Sequence, residues 1–222
     1  MYIKRAAENT IKKLDKMFPV LLVTGPRQVG KTTLLQKLCT NAENLLSRLK
    51  QTKRQGLNDI YARIFRGSMP ELYANPDMDW EVYYRSYVAT YLQRDIRDLA
   101  QVADEMQFYK FMTIAAAHTS RPVIYEEFAK AAGISAPTAK KWLSLLVSSH
   151  IIALVQPYSN NILKRMVKMP LLHFLDTGLA AYLLRWGNPA ALESGAMSGA
   201  FFESYVFSEI YKSYLNGGKE AP

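Results

Sequence analysis

Gly25-Pro26-Arg27-Gln28-Val29-Gly30-Lys31-Thr32 fits G-x-x-x-x-G-K-[ST] at every fixed position. Pro19 and the apolar run Val20-Leu21-Leu22-Val23-Thr24 lead into it, and Thr33-Leu34-Leu35-Gln36-Lys37-Leu38 leaves it with a helical pattern. Strand, glycine turn and helix in that order are the context of a phosphate-binding loop. In such a loop the glycines let the backbone approach phosphate oxygens, while successive N–H groups and a helix N-terminus hold negative charge. The candidate nucleotide-binding residues are Gly25, Pro26, Arg27, Gln28, Val29, Gly30, Lys31, Thr32 and Thr33. Lys31 is expected on the terminal phosphates, and Thr32 on a nucleotide-borne Mg²⁺. The bland alternative is a glycine turn between a strand and a helix.

Composition bounds what surrounds this loop. A chain of 222 residues with 49% hydrophobic side chains can form one large or two small domains. The 28 basic and 19 acidic residues give a net charge of +9, which suggests an anionic partner, nucleotide or nucleic acid, though solvated faces are often lysine-rich too. The single cysteine, Cys39, has no internal disulfide partner and reads as a packed side chain. No run of ~18 apolar residues suggests a membrane span, and a charged start without an apolar stretch makes a cytoplasmic location the expectation.

Along the chain, residues 2–17 place Ile3, Ala6, Ala7, Thr10, Ile11 and Leu14 at helical spacing among lysines, an amphipathic helix that Pro19 stops. After the loop, a nucleotidase needs a second apolar strand ending in an acidic residue, to hold the Mg²⁺ shell and position water. Residues 41–55 are instead polar and basic. Two later runs imitate such a strand, Val123-Ile124-Tyr125-Glu126-Glu127 and Leu171-Leu172-His173-Phe174-Leu175-Asp176. Asp176 is the one substitute they offer. The fold expected is α/β at the N-terminus, an incomplete P-loop strand, loop and helix, followed by a mainly α region with a winged helix. The parts expected are an incomplete nucleotide-binding segment over 1–55, a helical lid-like region over 56–118, the winged helix over 119–178, and the helical start of a truncated domain over 179–222.

Helices are expected over 57–65, 80–100 and 106–118, with Tyr83, Tyr84, Tyr87, Val88, Tyr91 and Leu92 forming one apolar side. The winged-helix outline rests on a short helix at 126–132, a turn at Gly133-Ile134-Ser135 with Ser135 as N-cap, and a second helix at 137–148. Strands are expected at 151–155, 162–167 and 171–175. Lys140 and Lys141 on the second helix, and Lys164, Arg165 and Lys168 on the wing, are the candidate DNA contacts. Winged helices also serve as protein-contact and purely structural modules. Further helices are expected over 179–186 and 199–215. His118, His150 and His173 stand far apart and read as packing or surface residues.

Phe65-Arg66-Gly67-Ser68-Met69-Pro70-Glu71-Leu72, Tyr87-Val88-Ala89-Thr90-Tyr91-Leu92-Gln93-Arg94-Asp95, Phe174-Leu175-Asp176-Thr177-Gly178-Leu179 and Gly199-Ala200-Phe201-Phe202-Glu203 follow the loop in that order. Together with Tyr2-Ile3-Lys4-Arg5 ahead of it, they resemble a prokaryotic family of predicted AAA+ superfamily ATPases. Members join a P-loop ATPase domain to a winged helix and a C-terminal nuclease-like domain of unknown function. The resemblance implies ATP and Mg²⁺ as cofactors, with Gly25, Gly30, Lys31 and Thr32 as the positions that carry the role over. It also implies that Arg66 and Arg94 fall where AAA+ arginines approach phosphates. By that comparison the chain looks internally deleted after about Thr40 and shortened at its C-terminus, so the expectation is ATP binding with little or no hydrolysis. A DNA-binding winged-helix protein and a remnant of a larger ATPase are the alternatives, and exposed apolar surface on such a remnant would promote self-association.

Overall fold

The computed structural model describes residues 5–15, 31, 33–34, 56–92, 105–156 and 169–218. The expected strand at 20–24, the wing strand at 162–167 and the second half of the helix expected at 80–100 lie outside these residues. So do Cys39 and Arg94.

The described chain is mainly helical, with one small antiparallel sheet. The amphipathic pattern near the start becomes α1 (Ala7–Asp15). Helix α2 (Leu57–Arg66) ends at Gly67, whose φ of +80° turns the chain out of the helix, and α3 (Pro70–Ala74) follows with proline at its first position, where no N–H is needed. The stretch 66–72, whose glycine, serine and proline read as a turn in the sequence, therefore contains the start of a helix. Helix α4 (Trp80–Thr90) is capped by Asp79, which accepts from Val82 N at 2.8 Å, and it runs on into a wider π-type turn at Tyr91 and Leu92. All six residues expected on its apolar side are buried.

Helix α5 (Glu105–Ala117) leads to the two-residue strand β1 (Arg121–Pro122), then α6 (Tyr125–Ala132) and α7 (Ala136–Ser148). Gly133 ends α6 in the left-handed conformation, donating to Ala129 O at 2.9 Å. Ser135 caps α7 as its sequence position implies, with Thr138 N donating to its Oγ at 3.2 Å. Strands β2 (Ile152–Val155) and β3 (Leu171–Phe174) complete a sheet of order β1-β3-β2, antiparallel throughout. Ile152 faces Phe174 in one pairing and Arg121 faces Leu172 in the other. The chain then forms α8 (Thr177–Leu183), α9 (Pro189–Ser194) and α10 (Ser198–Asn216).

One continuous apolar cluster, from Tyr61 to Phe201, holds these elements together. Trp142 seats its ring edge-on to Phe108 and Phe111, joining α7 to α5, and Trp80 stacks on Phe65, joining α4 to α2. Helix α8 packs on both α2 and α5, while α10 packs on β3 and α2. Among the described residues no helix is long and apolar enough to cross a membrane.

Candidate functional site

Of the candidate nucleotide-binding residues only Lys31 and Thr33 are described; Gly25 to Gly30 and Thr32 are not. Lys31, Thr33 and Leu34 have helical backbone. Leu34 is buried, Lys31 half-buried and Thr33 exposed. Inward Leu34 beside outward Thr33 is the pattern of a helix laid on a core.

The candidate DNA contacts divide in the same way. Lys140 and Lys141 are exposed on α7, with Ser144 Oγ donating to Lys140 O at 3.0 Å, while Lys164, Arg165 and Lys168 lie outside the described residues. Inward, α7 buries Ala139, Trp142, Leu143 and Leu146. Helical spacing in the sequence turns Ala139, Leu143, Leu146 and Val147 to that side; Val147 is half-buried, and Trp142 joins the face without being indicated by that pattern. Its lysines share the opposite face with exposed Pro137 and Ser144.

The densest polar arrangement is one for which composition gave no warning. Asp176 is buried at the end of β3 and receives four hydrogen bonds. Tyr84 Oη of α4 and Leu179 N of α8 each donate to Oδ1 at 2.7 Å. From the loop between α2 and α3, Ser68 N donates to Oδ2 at 2.7 Å and Ser68 Oγ donates to it at 2.9 Å. Above them, Lys212 Nζ of α10 donates to Ser68 Oγ at 2.8 Å and pairs with Glu209 at 3.4 Å. Tyr73 Oη closes the loop by donating to Gly67 O at 2.7 Å.

Two glycines make the approach possible. A Cβ on Gly178 would overlap Tyr84 Oη and come within 2.7 Å of Arg66 O and Gly67 Cα; one on Gly67 would meet Tyr84 Oη and Asp176 Oδ1. The buried phenol of Tyr84 is held well above its ordinary pKa, first by burial and then by the Asp176 charge and hydrogen bond. Tyr84 therefore stays a donor to the carboxylate.

This geometry settles what Asp176 can do. A carboxylate offers about four acceptor positions, and all four are taken by protein donors, so none is left for a metal ion. Asp176 is the N-cap of α8 and a clasp between the α2–α3 loop and the end of the sheet. It is not free to serve as the acidic residue expected after a P-loop. Arg66 is committed as well: its guanidinium donates to Leu72 O and to Pro76 O, and lies 5.7 Å from the Tyr73 ring centroid. Among the described residues no group of three or more His, Cys, Asp or Glu is placed to hold a metal ion.

A second buried network lies under α10. His173 Nδ1 meets Ser204 Oγ at 3.0 Å, Ser204 Oγ meets Thr119 Oγ1 at 2.8 Å, and Thr119 Oγ1 accepts from Phe174 N at 3.1 Å. The His173 ring stacks on Phe207 with centroids 4.5 Å apart. Burial lowers its pKa, against an opposing pull from the Glu203 carboxylate. Ser204 and His173 have the atoms of a nucleophile and base pair, but both are buried and Ser204 also serves Thr119, so the network reads as internal packing.

The described molecule is thus a mainly helical protein with a three-stranded antiparallel sheet, clasped through one buried carboxylate. Residues 57–190 match the model of a family described as a domain of unknown function, DUF8612, and the chain belongs to that family. The match contains the whole clasp except Lys212. The uncharacterized proteins Rv2008c of Mycobacterium tuberculosis and Mb2031c of Mycobacterium bovis are each 24% identical to it over 214 residues, covering 90% of this chain and 48% of the relative. The chain spans about half the length of the curated relatives it matches. No solved structure matches it.

Proposed function

We propose that this chain is an ATP-binding protein of the AAA+ type, with its nucleotide held at residues 25–33 and with little or no hydrolysis. The observation that carries the reading is the complete Gly25–Thr32 sequence pattern between an apolar run and a helical pattern. Helical backbone at Lys31, Thr33 and Leu34, with Leu34 turned inward, is what such a loop requires of the residues that leave it. Lys31 would meet the terminal phosphates and Thr32 would ligate the Mg²⁺ that ATP brings. Lys31→Ala deletes a charge-assisted phosphate contact, so affinity for a fluorescent ATP analogue should fall at least about tenfold. Equal affinity in the two proteins would refute the reading.

A second reading is favoured by a specific observation. Helices α6 and α7 joined by the Gly133 turn, followed by β2 and β3, have the order of a winged helix, and α7 presents Lys140 and Lys141 outward. Residues 119–178 hold seven basic and three acidic side chains, and one of the acidic ones, Asp176, is turned inward. On this reading the unit docks α7 on DNA, with phosphate contacts from the two lysines and from Lys164, Arg165 and Lys168. Duplex affinity should then fall steeply with salt. Lys140→Ala with Lys141→Ala should reduce the slope of log K against log salt by about two units. A duplex that fails to bind at low salt excludes it.

A further inference from the structure

Helix α8 (Thr177–Leu183) lies where the sequence divides, at the edge of the stretch expected to begin a further domain. Six of its seven residues are buried. It packs on α2, α4, α5, β3 and α10, and so touches all three of the parts expected over 56–118, 119–178 and 179–222. Boundaries between separable domains fall instead in exposed linkers that few contacts cross.

We infer that α8 and its cap Asp176 lock the elements α2 to α10 into one cooperative unit, in which the part expected as a lid does not open away from the part expected as a winged helix. The inference is independent of any nucleotide or DNA. Three observations carry it. First, α2 finds its partners more than a hundred residues further on. Thr177 Oγ1 donates to Ile64 O at 2.7 Å, and Tyr61 Oη meets Ser198 Oγ at 2.5 Å. Tyr182 of α8 stacks on Tyr84 and stands edge-on to Trp80, with centroids 6.0 and 6.1 Å apart. Helix α8 also packs on α5, which Phe108 and Phe111 tie to α7 through Trp142. One apolar path therefore runs from α2 through α8 and α5 to α7.

Second, the seam is closed at backbone contact. A Cβ on Gly178 would come within 2.7 Å of both Arg66 O and Gly67 Cα, so there is no room for the α2–α3 loop to slide across α8. Opening the seam would take the Ser68 and Tyr84 donors away from Asp176, and a buried carboxylate is costly to leave short of donors. Third, the helices after α8 close over α2 as well. Helix α9 packs on α2 and buries Leu192 completely, and α10 packs on α2 beside it. Parts that move separately meet through smaller and more polar surfaces.

The three tryptophans test this, because Trp80, Trp142 and Trp186 fall one in each expected part. Fluorotryptophan incorporated into the full chain gives each its own fluorine NMR signal, assigned by single Trp→Phe replacements. In a urea titration the native intensity of all three should be lost at one midpoint. Gly178→Ala at the seam, and Leu143→Ala within α7, should each lower the three midpoints by the same amount. Should Gly178→Ala not fold, Ile64→Val, which removes one methyl from α2, carries the same expectation. Amide exchange in native buffer should likewise give Ile64, Ala181 and Leu143 a common protection. Separate midpoints in the parent, a variant that shifts only the signal of its own part, or an Ile64 amide that exchanges well ahead of Leu143 would each overturn the inference.

Discussion

Asp176 shows how much one side chain can carry. It satisfies the first turn of α8, receives the α2–α3 loop through both the N–H and hydroxyl of Ser68, and holds the Tyr84 phenol of α4. Removing the carboxylate would leave Leu179 N as a buried donor without an acceptor and release Ser68 N at the part-buried edge of the clasp, whereas Tyr84 has a second acceptor, Arg66 O at 3.1 Å. A stranded buried donor and a lost N-cap together cost about 3 kcal/mol. Asp176→Ala should therefore lower the urea midpoint strongly, whereas Tyr84→Phe, which keeps the ring packing and removes one donor with its partner still bonded to others, should cost about 1 kcal/mol. A midpoint for Asp176→Ala equal to the parent's would show that the clasp contributes nothing. Gly178 belongs to the same argument, because an added methyl there meets backbone on the α2–α3 loop and cannot be relieved by a rotamer change.

At the level of elements, the seam between β3 and α10 depends on a neutral imidazole. His173 is packed against Phe207 and hydrogen-bonded to Ser204, and burial lowers its pKa below that of the unfolded chain. The folded protein then binds fewer protons than the unfolded one between the two pKa values. This contribution to stability is fully present above about pH 6.5 and is lost as pH falls from there towards the lowered folded value, with a slope of at most ~1.4 kcal/mol per pH unit. Urea titrations at several pH values should show the decline, and His173→Gln should flatten it; an unchanged profile would assign the acid sensitivity elsewhere. The elements themselves were legible wherever local rules act. Ser135 announced the start of α7, and the tyrosine spacing of α4 announced its buried side. Helix α3 was missed because Pro70 reads equally as a turn residue and as a first helical position, and α9 because Gly187-Asn188-Pro189 reads as a break while Asn188 and Pro189 start a new helix. The strand β1 was missed because two residues carry no periodicity. The clasp was legible only as two separate motifs: Ser68 and Asp176 stand 108 residues apart, and nothing local indicates that they meet.

Across the whole molecule, charge is divided unevenly, and the division bears on the proposed nucleotide binding. Residues 1–55 contain 12 basic and 3 acidic side chains and so account for the net +9, while residues 56–222 contain 16 of each. Attraction for an anion is therefore concentrated in the part that holds the P-loop pattern. Attraction is not turnover. Phosphoryl transfer to water depends on positioned groups around the phosphates, and an acidic residue that organises the Mg²⁺ shell and the attacking water is among them. Residues 41–55, which follow the loop in sequence, are polar and basic, Asp176 at the end of β3 has all its acceptor positions filled, and Arg66 is spent on Leu72 O and Pro76 O. Losing one positioned group costs about 10² to 10⁴ in rate. We therefore expect the purified chain to bind ATP and to hydrolyse it far more slowly than ordinary enzymes, well below about 1 s⁻¹. Single-turnover measurements with excess protein should show bound nucleotide persisting as ATP, and Asp176→Asn should leave that slow rate unchanged. Hydrolysis at an ordinary enzyme rate that disappears in Lys31→Ala would show that the chain supplies the missing group from residues beyond those described.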